Sequence, residues 1–475
     1  MPIAGWSTGR AGRGGRDPPL RRRRRAAVRA PRRAGLRGAG PEPDRQDEAA
    51  QLPVPLLQQL VTRHPDARYI AFATTVHGYE GTGRGFVLFL DWAAQGPRPL
   101  TVHRLHAPIR WDADDPLEAR IFEALLLDAE PCPAPEPFDL DELSACRLDR
   151  DALAADETLL RDFFGLLVQA HYRTTPGDLH RLLDAPNVDL HALLLRGRVI
   201  AATLVAHEGG LPPALCARIH GGEHRLRGHA LAEVLVCHAG RVEAGPLTMV
   251  RSVRIATHPA LRRLGLGQRL VDHVHASYTP DLFGTLFGAT PDLLAFRRHA
   301  GYRLVRLGAS RGSRTGEPAA VMVRPVTPAA IALIERVQAD FARDLPLHLA
   351  LMRGDVVVDA AFADALAEGL PPPSRLDAAE ADAMLASYAF GPRTLEAAAP
   401  AGAGFLARRP DLLAGLAPAE RALVEARVLA HRGWDAAARA GGLPSIPAAM
   451  RAMRRIIRRL VEQAGGPFHG APPVV

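Results

Sequence analysis

The sequence predicts a mixed α/β chain: a partial α/β lobe, a central sheet domain, then a mainly helical tail. Three observations carry that reading. Apolar patterns of strand and helix length alternate from about residue 150 to 327. Within that span one strand runs straight into an Arg/Gly-rich loop and an amphipathic helix. Beyond 328 the pattern is helical, and 51–149 holds two short apolar runs before a Pro-rich stretch, Pro131 to Pro137, that suits a linker.

The elements follow in order. Residues 1–50 are rich in Arg, Gly and Pro, with five arginines in a row from Arg21 to Arg25, and are expected to be disordered. This segment mimics a transit peptide or an RNA-binding arm; the favoured reading is a wrongly chosen start or shifted frame. In 51–149, Pro53 to Leu60 starts a helix, Tyr69 to Thr75 reads as a buried strand, and Phe86 to Leu90 reads as a second strand. In 150–327 the pattern is helical from Leu159 to Tyr172 and again from Pro176 to Leu183. A hairpin then turns at Arg196-Gly197 between Leu193 and Ala206, and a helix covers Gly228 to Cys237. Ser252–Thr257 and Leu286–Ala289 are expected strands, each followed by a helix, Gly265–Tyr278 and Pro291–His299. Arg303–Leu307 and Ala320–Arg324 close the sheet. The tail, 328–475, ends in a basic helix from Met450 to Glu462.

Composition narrows the classes. Of 475 residues 47% are hydrophobic, enough for real cores, which excludes wholesale disorder. The chain contains no lysine, so all 59 cationic side chains are arginine and no Lys-dependent chemistry is available to it. A net charge of +8 points to a polyanionic partner. Four scattered cysteines, with no Cys-x-x-Cys pair, exclude a zinc site and a disulfide framework and suit a reducing cytoplasm. No apolar run approaches the length of a membrane span, so no membrane partner is expected.

The chemistry resides in Val253-Arg254-Ile255-Ala256-Thr257-His258-Pro259-Ala260-Leu261-Arg262-Arg263-Leu264-Gly265-Leu266-Gly267-Gln268-Arg269-Leu270. A helix N-terminus offers unpaired N–H groups and a favourable dipole to a pyrophosphate. Gly265 and Gly267 let the backbone approach the phosphates, and Arg262 and Arg263 bring charge to the same place. The strand backbone at Ile255, Ala256 and Thr257 can pair with an extended amide-bearing ligand as an added strand would. The bland alternative is a Gly-rich turn that binds nothing.

This stretch resembles motif A of the GNAT N-acetyltransferases, with Arg262, Gly265 and Gly267 at its defining positions. The resemblance implies acetyl-CoA as acetyl donor, held by Ile255, Ala256, Thr257 and by Arg262, Arg263, Leu264, Gly265, Leu266, Gly267 and Gln268. Phe287 to Tyr302 resembles the strand–helix–Gly-aromatic unit that follows in GNAT folds, but its helix has no Tyr before Gly301 to serve as the acid.

A narrower resemblance rests on further stretches: Thr74-Thr75-Val76-His77-Gly78-Tyr79-Glu80-Gly81-Thr82-Gly83-Arg84-Gly85-Phe86, Ala170 to Leu179, Leu182 to Asn187, and Arg225-Leu226-Arg227-Gly228-His229. Over 60–475 the chain resembles the bacterial tRNA(Met) cytidine acetyltransferases, which join a RecA-like ATP-binding module to a GNAT domain and a tRNA-binding tail. The resemblance implies a partial second RecA-like lobe at 51–149, a GNAT domain at 150–327 and a tRNA-binding tail at 328–475. It implies acetylation of cytidine N4 in tRNA, at the wobble position of elongator tRNA-Met. It also places acetyl-CoA contacts at Asp292 and His299, where the family has Glu and Arg, and assigns Arg84 to ATP. A Walker A loop needs a lysine, so this chain is expected neither to bind ATP usefully nor to hydrolyse it. The remaining lobe should expose apolar surface.

His229 and His258 are the candidate proton acceptors, Glu223 a weaker one, and a strand bulge near Ala256 would supply amides for the oxyanion. Arg225, Arg227, Arg454, Arg455 and Arg458 are candidate RNA contacts; the last three share one face of the basic helix with Arg451 and Arg459. Two other readings stay open: a GNAT enzyme acting on a protein or small amine, and a non-catalytic RNA-binding protein that keeps the fold.

Overall fold

The computed structural model describes residues 44–46, 49–67, 69–74, 83–103, 105, 110–112, 114–170, 176–311, 317–352 and 360–465. Most of the basic N-terminal segment, most of the Thr74–Phe86 motif and His171–Thr175 therefore lie outside the described residues.

A small two-stranded unit comes first. β1 (Asp44–Gln46) and β2 (Ile70–Phe72) pair in parallel through the crossover helix α1 (Val54–Arg63), and α2 (Gly83–Ala94) follows. The run Phe86 to Leu90, expected as a strand, is part of α2. Phe86, Phe89, Leu90 and Ala93 lie at i, i+3, i+4 and i+7, one helical stripe, and Phe89 is buried against Ala49, Val54 and Leu57. The expected strand from Tyr69 to Thr75 shortens to β2, with Tyr69 exposed. Helix α3 (Pro116–Leu125) completes this region. Leu100, Val102, Leu105, Trp111, Leu117 and Ile121 are all exposed, which matches the apolar surface expected of the lobe.

The central sheet has seven strands in the order β3-β4-β5-β6-β7-β9-β8. They are β3 (Leu143–Leu148), β4 (Val188–Leu195), β5 (Arg198–Gly209), β6 (Thr248–Thr257), β7 (Leu282–Gly288), β8 (Arg303–Arg311) and β9 (Pro318–Pro325). All neighbours are antiparallel except β6 and β7. β3 pairs with β4 ahead of residue 150, and the Pro131–Pro137 stretch is docked, not free, since Cys132 is buried in the sheet's core. At the β4–β5 turn Arg196 and Gly197 both take positive φ, the mirror-image turn whose twist suits a hairpin.

Helices α4 (Arg150–Ala155), α5 (Glu157–Ala170) and α6 (Pro176–Asp184) precede β4. Phe163, Phe164, Leu166 and Leu167 of α5 are buried with Leu190, Ala192, Ala202 and Leu204 of the sheet. α7 (Pro213–His220) and α8 (Ala230–Glu233), which continues as a π-helical turn over Val234–His238, lie between β5 and β6. α9 (Leu266–Ser277) buries Leu266 and Leu270 on Leu193, Leu195 and Ala201, and α10 (Pro291–His299) brings Leu294 into the core with Val271 and Val274.

The tail contains α11 (Pro328–Met352), α12 (Ala360–Ala367), α13 (Ala378–Phe390), α14 (Leu395–Arg408), α15 (Pro410–Ala414), α16 (Pro418–Val424), α17 (Trp434–Ala440) and α18 (Ile446–Gln463). α11 belongs to the sheet's cores through Leu333, Ile334, Val337 and Phe341, so the helical region is seated on the sheet. α13 to α18 form a separate core around Leu385, Phe405, Trp434 and Ile457. No described helix is long and apolar enough to cross a membrane.

Candidate functional site

The site begins where two parallel strands part. β6 and β7 pair only from Met249–Leu282 to Ser252–Thr285, yet β6 continues to Thr257 and β7 to Gly288. Beyond Ser252, β6 stays paired with β5 (Ile255 with Thr203, Ala256 with Ala202, Thr257 with Ala201), while β7 follows β9. The cause is a bulge: Leu204 faces Arg254 and Val205 faces Ser252, which leaves Val253 as the extra residue and bends β6 away. The bulge therefore lies at Val253, three residues before the expected position at Ala256. An extra residue can be absorbed anywhere along an antiparallel pair, and only the partner register fixes where. Ile255, Ala256 and Thr257 thus lie on a strand edge that β7 does not cover.

The chain leaving that edge is held by His258, whose ring accepts from the Ala260 amide through Nδ1 (3.2 Å) and meets the Cys132 carbonyl through Nε2 (2.8 Å). After a short turn, Arg263 and Gly265 both adopt positive φ, +68° and +77°. α9 then starts at Leu266 with Gly265 as its N-cap and no side chain capping it. Its first-turn amides have no intrahelical acceptor, and the dipole is positive at this end. Arg262, Arg263 and Leu264 are exposed around it. A Cβ at Gly267 would meet Phe296 only at ordinary contact distance, 3.5 Å, so packing alone does not demand glycine there. Gln268 turns to Asp272 (2.8 Å).

Asp292, near the start of α10, pairs with Arg263 at 3.0 Å and so stands beside this loop. Both groups are exposed, and the pair is worth little as stabilisation. His299 is exposed at the far end of α10, about 10 Å of helix rise from Asp292.

Both histidines expected as bases are corrected by their hydrogen bonds. His258 is buried with both ring nitrogens engaged. His229, the N-cap of α8, accepts from the Gly209 amide through Nδ1 (3.1 Å), which leaves the proton on Nε2. Neither offers a lone pair to receive a proton. Glu223 is exposed and faces Arg218 at 3.6 Å.

The arginines expected at RNA divide. Arg225 and Arg227 are exposed in the 221–229 segment, and Arg455 is exposed on α18. Arg454 instead donates to the carbonyls of Tyr388 and Gly391 (both 2.5 Å) and Arg393 (3.0 Å). Arg458 donates to Ala389 O (3.1 Å) and lies over the Phe390 ring. Arg454 thus ties α18 to the end of α13 and the chain just beyond it, while Arg458 caps Ala389 and stays exposed. Arg84 lies on α2, but its side chain is outside the described residues.

The structure adds a residue that the motifs did not flag. Arg297 is buried beneath α10; Nη2 donates to Ser252 Oγ (3.2 Å) at the last paired position of β6, and Nη1 has no partner. Its charge lies against the rings of Phe296 and Tyr302. The available signal was a doubled Arg297-Arg298 on a short amphipathic helix.

Comparison with known proteins fits this geometry. Residues 46–128 match the helicase-domain model of the RNA cytidine acetyltransferases NAT10/TcmA, and 162–283 match the model of GNAT acetyltransferase 2. A tRNA(Met) cytidine acetyltransferase TmcA of Nitrosococcus halophilus is 40% identical over 433 residues, 88% of this chain and 57% of that protein. TmcA of Haloferax volcanii is 40% identical over 88% of this chain and 56% of its own length, and TmcA of Yersinia pestis 37% identical over 75% and 50%. The chain thus spans about half the length of the curated relatives it matches. With matches to helicase-type and GNAT regions, and 40% identity across most of its residues, the chain is similar to the RNA cytidine acetyltransferases.

Proposed function

We propose that this chain transfers the acetyl group of acetyl-CoA to N4 of a cytidine in tRNA, forming N4-acetylcytidine, at the wobble position of elongator tRNA-Met. The observation that carries this is the parting of β6 and β7, which opens onto an uncapped helix N-terminus at Gly265. The pyrophosphate of CoA sits against the amides opening α9, with Arg262 and Arg263 adding charge. The pantetheine arm pairs along Ile255, Ala256 and Thr257, which brings the thioester toward Ser252 and Val253.

The N4 amine is neutral and needs no deprotonation before attack, so positioning is the main task. N4 bonds to the thioester carbon, the C–S bond breaks, and the proton lost from nitrogen ends on the departing thiolate or in solvent. The amides around the Val253 bulge and the buried charge of Arg297 favour the oxyanion. Arg225, Arg227 and Arg455 are free to meet RNA phosphate, and a single-stranded anticodon base suits this open edge better than a duplex would. Arg84 lies in the region that matches the helicase-domain model, and this reading routes no step of acetyl transfer through ATP. The setting is the cytoplasm, in keeping with four unpaired cysteines.

Nucleoside mass spectrometry of tRNA incubated with the pure protein and acetyl-CoA, with and without ATP, tests the proposal. N4-acetylcytidine should appear in both. Unmodified tRNA alongside acetylated protein or small amines would replace this reading with that of a different GNAT acceptor.

A further inference from the structure

A second site lies at the sheet edge formed by β8. There the edge strand β8, helix α11, the Ala239–Arg241 turn and the α13–α14 junction line a half-open cavity of about 270 Å³. That is room for a small molecule, well beyond one water. Arg306 of β8 and Arg393, which precedes α14, both line it. Arg393 is only 9% exposed; its one side-chain hydrogen bond among the described residues goes to Ser387 Oγ (3.3 Å), and its Nε has no partner. Arg306 is half-buried, and among the described residues its charge is drawn to the Glu396 carboxylate without a hydrogen bond or close ion pair.

Of the four carboxylates in the same wall, the exposed Glu380 lies at its rim and the other three are already committed. Asp340 is paired with Arg241 and Arg343, and Asp344 takes Arg343 at 2.6 and 3.0 Å. Glu396 accepts from Arg427 (2.8 Å) and Trp434 (2.7 Å). Two further buried donors or acceptors on the wall, His238 Nδ1 and His348 Nε2, have no partner. Gly240 at φ +69° leaves space for the Arg393 guanidinium, since a Cβ there would lie 3.1 Å from Nη1. Burial presses both Arg306 and Arg393 down to about 10, a cost that an anion would recover. Unpaired buried cations are expensive, and natural interiors pair them.

We propose that this cavity binds a phosphate-type oxyanion, carried by a small molecule, between Arg306 of the sheet and Arg393 of the helical tail. Because the two guanidiniums come from different parts of the chain, the bound anion ties the tail to the sheet. The site shares no residue with the Arg262–Gln268 loop.

The test is calorimetric titration of the full chain with inorganic phosphate and with pyrophosphate, in saturating CoA so that the amides of α9 are occupied. Saturable binding of at least one is expected, weakened at least tenfold by Arg393→Gln or Arg306→Gln with CoA affinity unchanged. Hydrogen exchange of the unmodified protein gives an arm that needs no variant. Amides of 303–307 and 392–397 should exchange more slowly with the anion present. The proposal is overturned if neither anion saturates, if both variants bind as the parent does, or if those amides are unaffected. Binding of an oligonucleotide but neither small anion also overturns it.

Discussion

Gly265 holds φ +77° at the N-cap of α9, a region that an L-residue enters at a cost of about 1–2 kcal/mol. Gly265→Ala should therefore lower the unfolding free energy by about that much and weaken CoA binding, as denaturant melts and a CoA titration will read. This position was legible because a glycine between a strand and a helix usually marks a left-handed turn or a close backbone approach. His258 was not. Its sequence position beside a Pro turn suggested a base, whereas its decisive partner, the Cys132 carbonyl, comes from a segment read as a linker. His258→Ala should remove two hydrogen bonds, about 1–3 kcal/mol of stability. It should leave the shape of the pH–rate profile unchanged, whereas loss of the neutral-pH limb would restore the histidine to the chemistry.

At the scale of the element, most helices and strands of the sheet domain were readable from period alone, α10 to the residue. The failures have definite causes. α2 was misread because five consecutive apolar residues fit either period until the stripe is followed to Ala93. The bulge was misplaced because sequence carries no register. In α18 the amphipathic pattern gave the faces correctly, with Met453, Ile456, Ile457 and Leu460 buried, but not the targets of the arginines. Those depend on where α13 ends. The division predicts opposite outcomes on one helix. Arg454→Ala should destabilise the tail with little change in the salt dependence of tRNA binding. Arg455→Ala should spare stability and reduce the slope of log K against log salt by about 0.7–0.9, one phosphate contact. Equal effects on tRNA affinity would contradict the assignment.

For the whole molecule, one buried and two half-buried histidines set an acid limit. Burial first, then neighbouring cations or another imidazole, depresses His191, His238 and His275 to about 4 from 6.5. Between those values the unfolded chain binds more protons than the folded one. Stability therefore rises with pH over this window and is lost as pH falls through it. The melting temperature should drop markedly from pH 7 to pH 5, and a flat profile would mean that these rings are already charged in the fold. The proposed acetyl transfer rests above all on the phosphates of CoA meeting the amides that open α9. Calorimetric titration of the pure chain with CoA reads this directly. One saturable site is predicted, abolished by Gly267→Glu, whereas no saturable heat, or equal affinity in that variant, would contradict it.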